Sequence, residues 1–225
     1  SEAVRWLKDT TNKTEPWTLF VSFVAPHFPL IAPEKFYELY ENLQLMPSKQ
    51  KPKPEHPWHK AMRNCQLMDN FTPEKTQIAL KSYYALVSFI DELIGNLLNA
   101  LKSIELEEST QIIYTSDHGD NIGERNLWGK SNFYEESIGI PLIIAGPNVP
   151  TGKVCQTPVS LVDIYPTILE TAKLSVEPQK PGRSLSRIAN EPDDNNRVIF
   201  AEYHAMGSTS GGFMIRKGYW KYVHY

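Results

Sequence analysis

The sequence predicts an α/β fold: a layered, partly parallel sheet with flanking helices, followed by a small antiparallel appendage at the C-terminal end. Three observations predict it. Apolar segments of strand length alternate with longer segments of helical periodicity. Polar residues begin abruptly where two of the apolar segments stop. The tail, finally, breaks into short β-rich pieces separated by glycines.

Residues 2–9 place Val4 and Leu7 one turn apart beside Trp6, which suits a short amphipathic helix ending in the polar stretch TTNKTEP. Residues 17–24, WTLFVSFV, are β-branched and aromatic and read as a strand stopped by Pro26. Residues 33–43 read as a short helix, and residues 46–57, rich in proline and lysine, as an irregular loop. The strongest helix begins at Thr72, a good N-cap, with Pro73 in the first turn and Glu74 placed to favour the helix dipole. Ile78, Tyr84, Val87, Ile90, Leu93, Ile94, Leu97, Leu98 and Leu101 recur at three- and four-residue steps. That spacing predicts roughly 30 residues of helix with one side laid on a sheet. Residues 110–115 and 141–145 read as short buried strands, the second closed by Gly146-Pro147, and residues 161–173 as a helix. Residues 198–203, 212–216 and 219–225 read as three strands with glycine turns. The boundaries that follow are 1–176 for the α/β domain, 177–196 for a linker rich in Pro, Asn and Asp, and 197–225 for the appendage.

Composition narrows the function classes. The chain has 225 residues, 41% hydrophobic and 22% charged, as in ordinary globular domains. A net charge of -3 supplies no cationic field, so neither nucleic acid nor an anionic membrane surface is an expected partner. No apolar run approaches the roughly 20 residues that span a bilayer. The first residues show no charged n-region followed by an apolar stretch, and the chain reads as starting inside something larger. Cys65 and Cys155 lack metal-ligand spacing, and their sequence contexts leave pairing open. Asn12-Lys13-Thr14 and Asn70-Phe71-Thr72 would matter only in a eukaryotic secretory pathway.

In an α/β sheet, ligands bind beyond the carboxyl ends of strands, so residues just after a strand are the first candidates for chemistry. Asp117 and His118 offer a carboxylate oxygen and an imidazole nitrogen from one turn, a donor set that suits a divalent cation. Gly119 and Gly123 let the backbone turn tightly there. The same pair could equally cap a turn and lie at the surface. Lys130, after Gly129, could bring an ammonium to an anion beside the metal, or simply solvate the surface. His27, between Pro26 and Pro29, sits in a stiffened loop that could hold its ring at low entropic cost, or pack it on Phe28.

Taken together, the segments resemble the sulfatases of the alkaline phosphatase superfamily. The match runs through PHFP, SYYALVSFIDELIGNLLNAL, IIYTSDHGDNIGERNLWGK, IPLIIAGP and VSLVDIYPTIL, in the family's order. The Asp-His pair and the tail AEYHAMGSTSGGFMIRKGYWKYVHY look like the branch with choline sulfatases and phosphonate monoester hydrolases. The resemblance implies an alkaline phosphatase-like fold and a small anionic ester as substrate. It also implies that Asp117 and His118 ligate a divalent cation, calcium first, with manganese or magnesium as alternatives. His27 and Lys130 would hold the sulfate oxygens, and either could protonate the departing alkoxide. His204 would line the substrate pocket or serve structure.

One part of the pattern is absent. Sulfatases use a formylglycine made in a C-x-P-x-R type segment, and neither Cys65 nor Cys155 stands in one. The acidic pair Asp193-Asp194 reads as solvated loop. The expectation is a fragment that carries half of a metal-centred site, is inactive alone, binds metal weakly, and has the missing N-terminal half of the enzyme as its partner. Such a piece should expose apolar sheet edges, which favours a homo-oligomer. The rivals are a phosphonate monoester or phosphodiester hydrolase of the same fold, and a non-catalytic binding domain.

Overall fold

The structure, a computed structural model, describes residues 1–9, 15–50, 53–65, 71–205 and 208–225. Asn12-Lys13-Thr14 and the asparagine of Asn70-Phe71-Thr72 lie outside the described residues. In chain order the elements are α1 (Glu2–Asp9), α2 (Glu34–Tyr37), α3 (Pro57–Cys65), α4 (Pro73–Ser103), β1 (Ile112–Thr115), α5 (Glu135–Ile138), β2 (Leu142–Ala145), α6 (Ile164–Thr171), α7 (Leu185–Asn190), β3 (Val198–Tyr203), β4 (Gly212–Lys217) and β5 (Trp220–His224). They fall into two compact units. One comprises residues 1–52, 68–109 and 122–128, the other residues 53–67, 110–121 and 129–225.

The first unit is built on α4. Its start is the predicted one: Thr72 is extended, its hydroxyl accepts from the Lys75 amide at 3.3 Å, and Pro73 opens the helix. Helices α1 and α2 pack against it. Lys35 Nζ donates to the Glu92 carboxylate at 2.7 Å, and the Tyr40 and Ser88 hydroxyls bond at 2.8 Å. By length and composition alone α4 is apolar enough to cross a membrane, but these polar partners along it are those of a packed helix in a globular unit. The buried face differs from the expected one. Leu80, Ala85, Leu86, Ile90, Ala100 and Leu101 are buried, whereas Ile78, at 58% exposed, Tyr84, Val87 and Leu98 face outward. A helix apolar around most of its circumference does not announce its inner face by size. The alanines mark it, because small side chains allow the neighbouring elements to approach.

Residues 17–24 do not form the expected strand. Exposure alternates along them, with Thr18, Phe20, Ser22 and Val24 outside, which is the period of a strand. Among the described residues, however, no second backbone pairs with them. β-propensity describes side chains that fit a pleated surface and cannot supply the partner that makes a ladder.

The second unit contains two sheets, both antiparallel. β1 pairs with β2 in the register Ile112↔Ala145 to Thr115↔Leu142, and β3, β4 and β5 form a meander. The expected parallel component is absent among the described residues. The connection from β1 to β2 holds only short turns and the single-turn α5, not the crossover helix that parallel neighbours require. β1 and β2 are also half-buried rather than buried, with Tyr114 and Ile143 exposed. The three C-terminal strands stand where the sequence places them.

Three helices of this unit were not expected: α3, the single-turn α5 and α7. α3 buries Trp58 and Met62, and its aromatic residues receive the chain end. Tyr225 stacks on Trp58 with centroids 4.5 Å apart, and its hydroxyl bonds His59 Nε2 at 3.0 Å. α7, with Leu185 and Ile188 buried, lies within the stretch 177–196. α6 is preceded by a capping box in which Asp163 accepts from the Ser160 amide. Asp163 is wholly buried and forks with Arg197, Nη2 lying 2.6 Å from Oδ1.

Candidate metal and anion site

β1 ends at Thr115, whose hydroxyl donates to the Pro141 carbonyl at 2.8 Å, so the strand end is tied to the start of its partner. Polar residues begin at once. The Ser116 hydroxyl donates to the His118 carbonyl at 2.8 Å, and the His118 amide donates to Asp117 Oδ1 at 3.0 Å. These bonds fold the turn so that Asp117 Oδ2 and His118 Nε2 lie 3.5 Å apart. His118 Nδ1 meets the Gly119 carbonyl at 2.8 Å. In the neutral ring that contact makes Nδ1 the donor and gives Nε2 the lone pair, the arrangement of a metal-ligating imidazole.

Burial works against ionisation of Asp117, but the facing His118 ring, the His118 amide and the Ser116 hydroxyl together hold its carboxyl below the usual range. Its side chain is 82% exposed and that of His118 30%. The pair therefore presents one carboxylate and one imidazole at the surface of its unit. Among the described residues, no group of three or more His, Cys, Asp or Glu side chains comes together that could hold a metal ion. As a donor set the pair fits part of a divalent-cation site and falls short of the six or so ligands that calcium or magnesium takes. An imidazole beside a carboxylate also suits manganese better than calcium's oxygen-only preference.

The two glycines of this segment serve different ends. A Cβ at Gly119 would lie 2.1 Å from the Glu136 carbonyl, and the Gly119 amide donates to the Ser137 carbonyl at 2.8 Å, so this glycine permits a close approach to α5. Gly123 instead has φ +88, in the left-handed region. Ile122, Arg125, Asn126 and Ser131 also adopt positive φ. Such backbone strain gathers where the surrounding structure holds a loop for function.

The segment beyond the pair returns to Lys130. Asp120 Oδ1 accepts from the Gly129 amide at 2.9 Å, while the Asn121 amide and Nδ2 both donate to the Gly129 carbonyl, at 2.7 and 2.6 Å. Lys130 is half-buried and lies in the same unit as Asp117 and His118. Asp120 and Asn121 carry no chemical signature of their own, and nothing in the sequence singles them out. His27 belongs to the other unit. It is exposed, its amide donates to the Val24 carbonyl at 3.0 Å, and its Nδ1 meets the Phe28 carbonyl at 2.8 Å. His204, at the end of β3, meets Glu202 Oε2 at 3.2 Å and packs edge-on against Phe213. Asp193 and Asp194 are exposed and bond nearby backbone amides.

The sulfatase family matches residues 1–174. A choline-sulfatase of Rhizobium meliloti is 38% identical over 217 residues, covering 93% of this chain and 42% of its own length. Arylsulfatase K of Mus musculus is 30% identical over 251 residues, covering all of this chain and 44% of its own length. A phosphonate monoester hydrolase from Silicibacter pomeroyi superposes with a TM-score of 0.82 at 23% identity, over 100% of this chain and 52% of the other. The chain thus spans about half the length of the proteins it matches, and its fold is that of the alkaline phosphatase-like enzymes. With the family matched from the first residue through α6, including the strand end that bears Asp117 and His118, the chain belongs to the sulfatase family.

Proposed function

We propose that this chain supplies the cation-binding and leaving-group portion of a sulfuric ester hydrolase, and that it is inactive by itself. The observation that carries the reading is the Asp117–His118 pair at the end of β1, with Oδ2 and Nε2 3.5 Å apart and Nδ1 engaged by the Gly119 carbonyl. Asp117 and His118 would hold a divalent cation, calcium or, as the imidazole favours, manganese; magnesium is the third candidate. When bound, the cation supplies charge withdrawal from the ester's non-bridging oxygens. His27 and Lys130 hold those oxygens and stabilise the charge that develops on them. As the S–O bond breaks, one of the two gives its proton to the departing alkoxide oxygen.

The nucleophile belongs to a C-x-P-x-R type segment that this sequence lacks, so the remaining half of the enzyme is the partner and a small anionic ester the substrate. His204 is a candidate lining residue of the pocket. The test is reconstitution: this chain alone, and the same residues within the full-length protein, are assayed on an aryl sulfate with each cation. Turnover only in the full-length protein, lost in Lys130→Ala, supports the reading. Turnover by the isolated chain refutes its inactivity, and no turnover by either refutes the sulfuric ester assignment. A second reading, a phosphonate monoester hydrolase, draws on the fold shared with the Silicibacter enzyme. Relative kcat/KM on matched sulfate and phosphonate esters decides between them.

A further inference from the structure

We propose that Asp120 and Asn121 are positioning residues for Lys130, clamping the Gly129 peptide so that the ammonium following it keeps a fixed relation to Asp117 and His118. The proposal rests on the reading of Lys130 as the anion-holding cation. Both hydrogen-bonding groups of Gly129 are engaged by this one dipeptide. Its N–H donates to Asp120 Oδ1 at 2.9 Å, and its carbonyl accepts from the Asn121 backbone and side chain at 2.7 and 2.6 Å.

The need for a clamp follows from the local backbone. Gly129 has φ +67 and Ser131 φ +82, so Lys130 stands between two left-handed residues in a segment without helix or strand. A lysine that follows a glycine in irregular chain would sample many directions, and holding it by its own side chain would cost the rotamer freedom of a long stem. Fixing the preceding peptide instead removes the backbone freedom while the lysine side chain still answers to a ligand. The clamp is continuous with the metal-facing turn. Asp120 follows His118 by two residues, and between them Gly119 is bonded to the Ser137 carbonyl at 2.8 Å. Candidate ligands and candidate cation therefore share one frame.

Asn121 adds an independent sign. Its side chain is fully buried, and its Oδ1 has no hydrogen-bond partner among the described residues. A buried amide left half-satisfied is disfavoured for stability alone. Its Nδ2 bond to Gly129 is what the residue provides.

The test begins on the 225-residue chain. In Asp120→Ala, amide hydrogen exchange at Gly129 should accelerate about tenfold or more while protection in α6 is unchanged. Asp120→Asn keeps an acceptor oxygen without the charge and should restore protection to within about threefold of the parent. Exchange at Gly129 that is indifferent to Asp120→Ala, or equally fast in Asp120→Asn, overturns the proposal. In the full-length protein, Asp120→Ala should lower kcat for an aryl sulfate by about tenfold or more with KM little changed. In a Lys130→Ala background it should cost nothing further, whereas a merely structural role would add its loss to that of Lys130→Ala, and additivity overturns the proposal. Absence of sulfate-ester turnover in the full-length protein counts against the hydrolase reading alone, because the exchange experiment judges the clamp separately.

Discussion

The bond from His118 Nδ1 to the Gly119 carbonyl leaves Nε2 as the nitrogen that can take a cation, and Asp117 is held ionised beside that same nitrogen. Asp117→Asn and His118→Ala should each weaken Mn2+ binding by about tenfold or more, read by water-proton relaxation during titration. An unchanged titration in both variants would mean that the pair is not the cation site. Gly119→Ala tests the frame beneath it. The new methyl would meet the Glu136 carbonyl at 2.1 Å, and because that carbonyl is backbone, relief requires moving α5 or the turn. A loss of about 2 kcal/mol or more in denaturant unfolding is expected, and a stability equal to the parent would show that the approach is not held in solution. Asp117 and His118 could be picked out in the sequence because their chemistry is unusual at a strand end, and Lys130 because it follows Gly129 one loop further on. Asp120 and Asn121 could not, since a clamp on a peptide nine residues away has neither period nor composition to announce it.

Among the elements, the capping box and the Asp163–Arg197 pair hold the start of α6 to the segment before β3. Asp163 also accepts from the Arg183 amide at 2.8 Å, so one wholly buried carboxylate serves three parts of the chain. Removing it leaves Arg197, 16% exposed, and two amides without their acceptor, and Asp163→Ala should cost about 3–5 kcal/mol in chemical denaturation. A cost below about 1 kcal/mol would place the stability of this region elsewhere. The chain end makes a prediction in pH. Burial, and secondarily Tyr134, push the Tyr225 hydroxyl above its ordinary value, so the folded state retains a proton that the unfolded chain releases. The stabilising contribution is complete below pH of about 10 and falls as pH rises through the folded-state value. Tyr225→Phe should lose the His59 bond at neutral pH, about 1 kcal/mol, and show a shallower alkaline decline than the parent. Equal alkaline slopes would remove Tyr225 from the account. α1, α4 and α6 were readable because period and caps are local signals. α3 was hidden in a run of Pro, His and Lys, and its role depends on aromatic contacts with the far end of the sequence.

At the scale of the molecule, the chain carries the sequence of a larger sheet than its own pairings use. In the first unit, residues 17–24 alternate like a strand without a neighbour, and Phe20 and Val24 are 88% and 78% exposed. Leu19 to Phe23 of this segment border a groove of about 1050 Å3 that is also lined by Val4, Trp6, Leu93 and Leu97. Exposed backbone donors and acceptors beside apolar side chains are a template for another chain, and natural edges usually blunt them with charge, proline or a covering element. Between Trp17 and Val24 there is no charge and no proline. The expected outcome for an isolated chain at high concentration is therefore self-association, a second copy joining along this edge. Light scattering coupled to size exclusion should give a mass above 25.7 kDa that rises with concentration into the range of about 100 μM. Lysine at Phe20 or at Val24 puts a charge on the exposed face without touching the half-buried one, and should return the chain to a monomer with its helical circular dichroism intact. A parent chain that stays monomeric throughout that range would mean that this edge, apolar as it is, is already satisfied within its own unit.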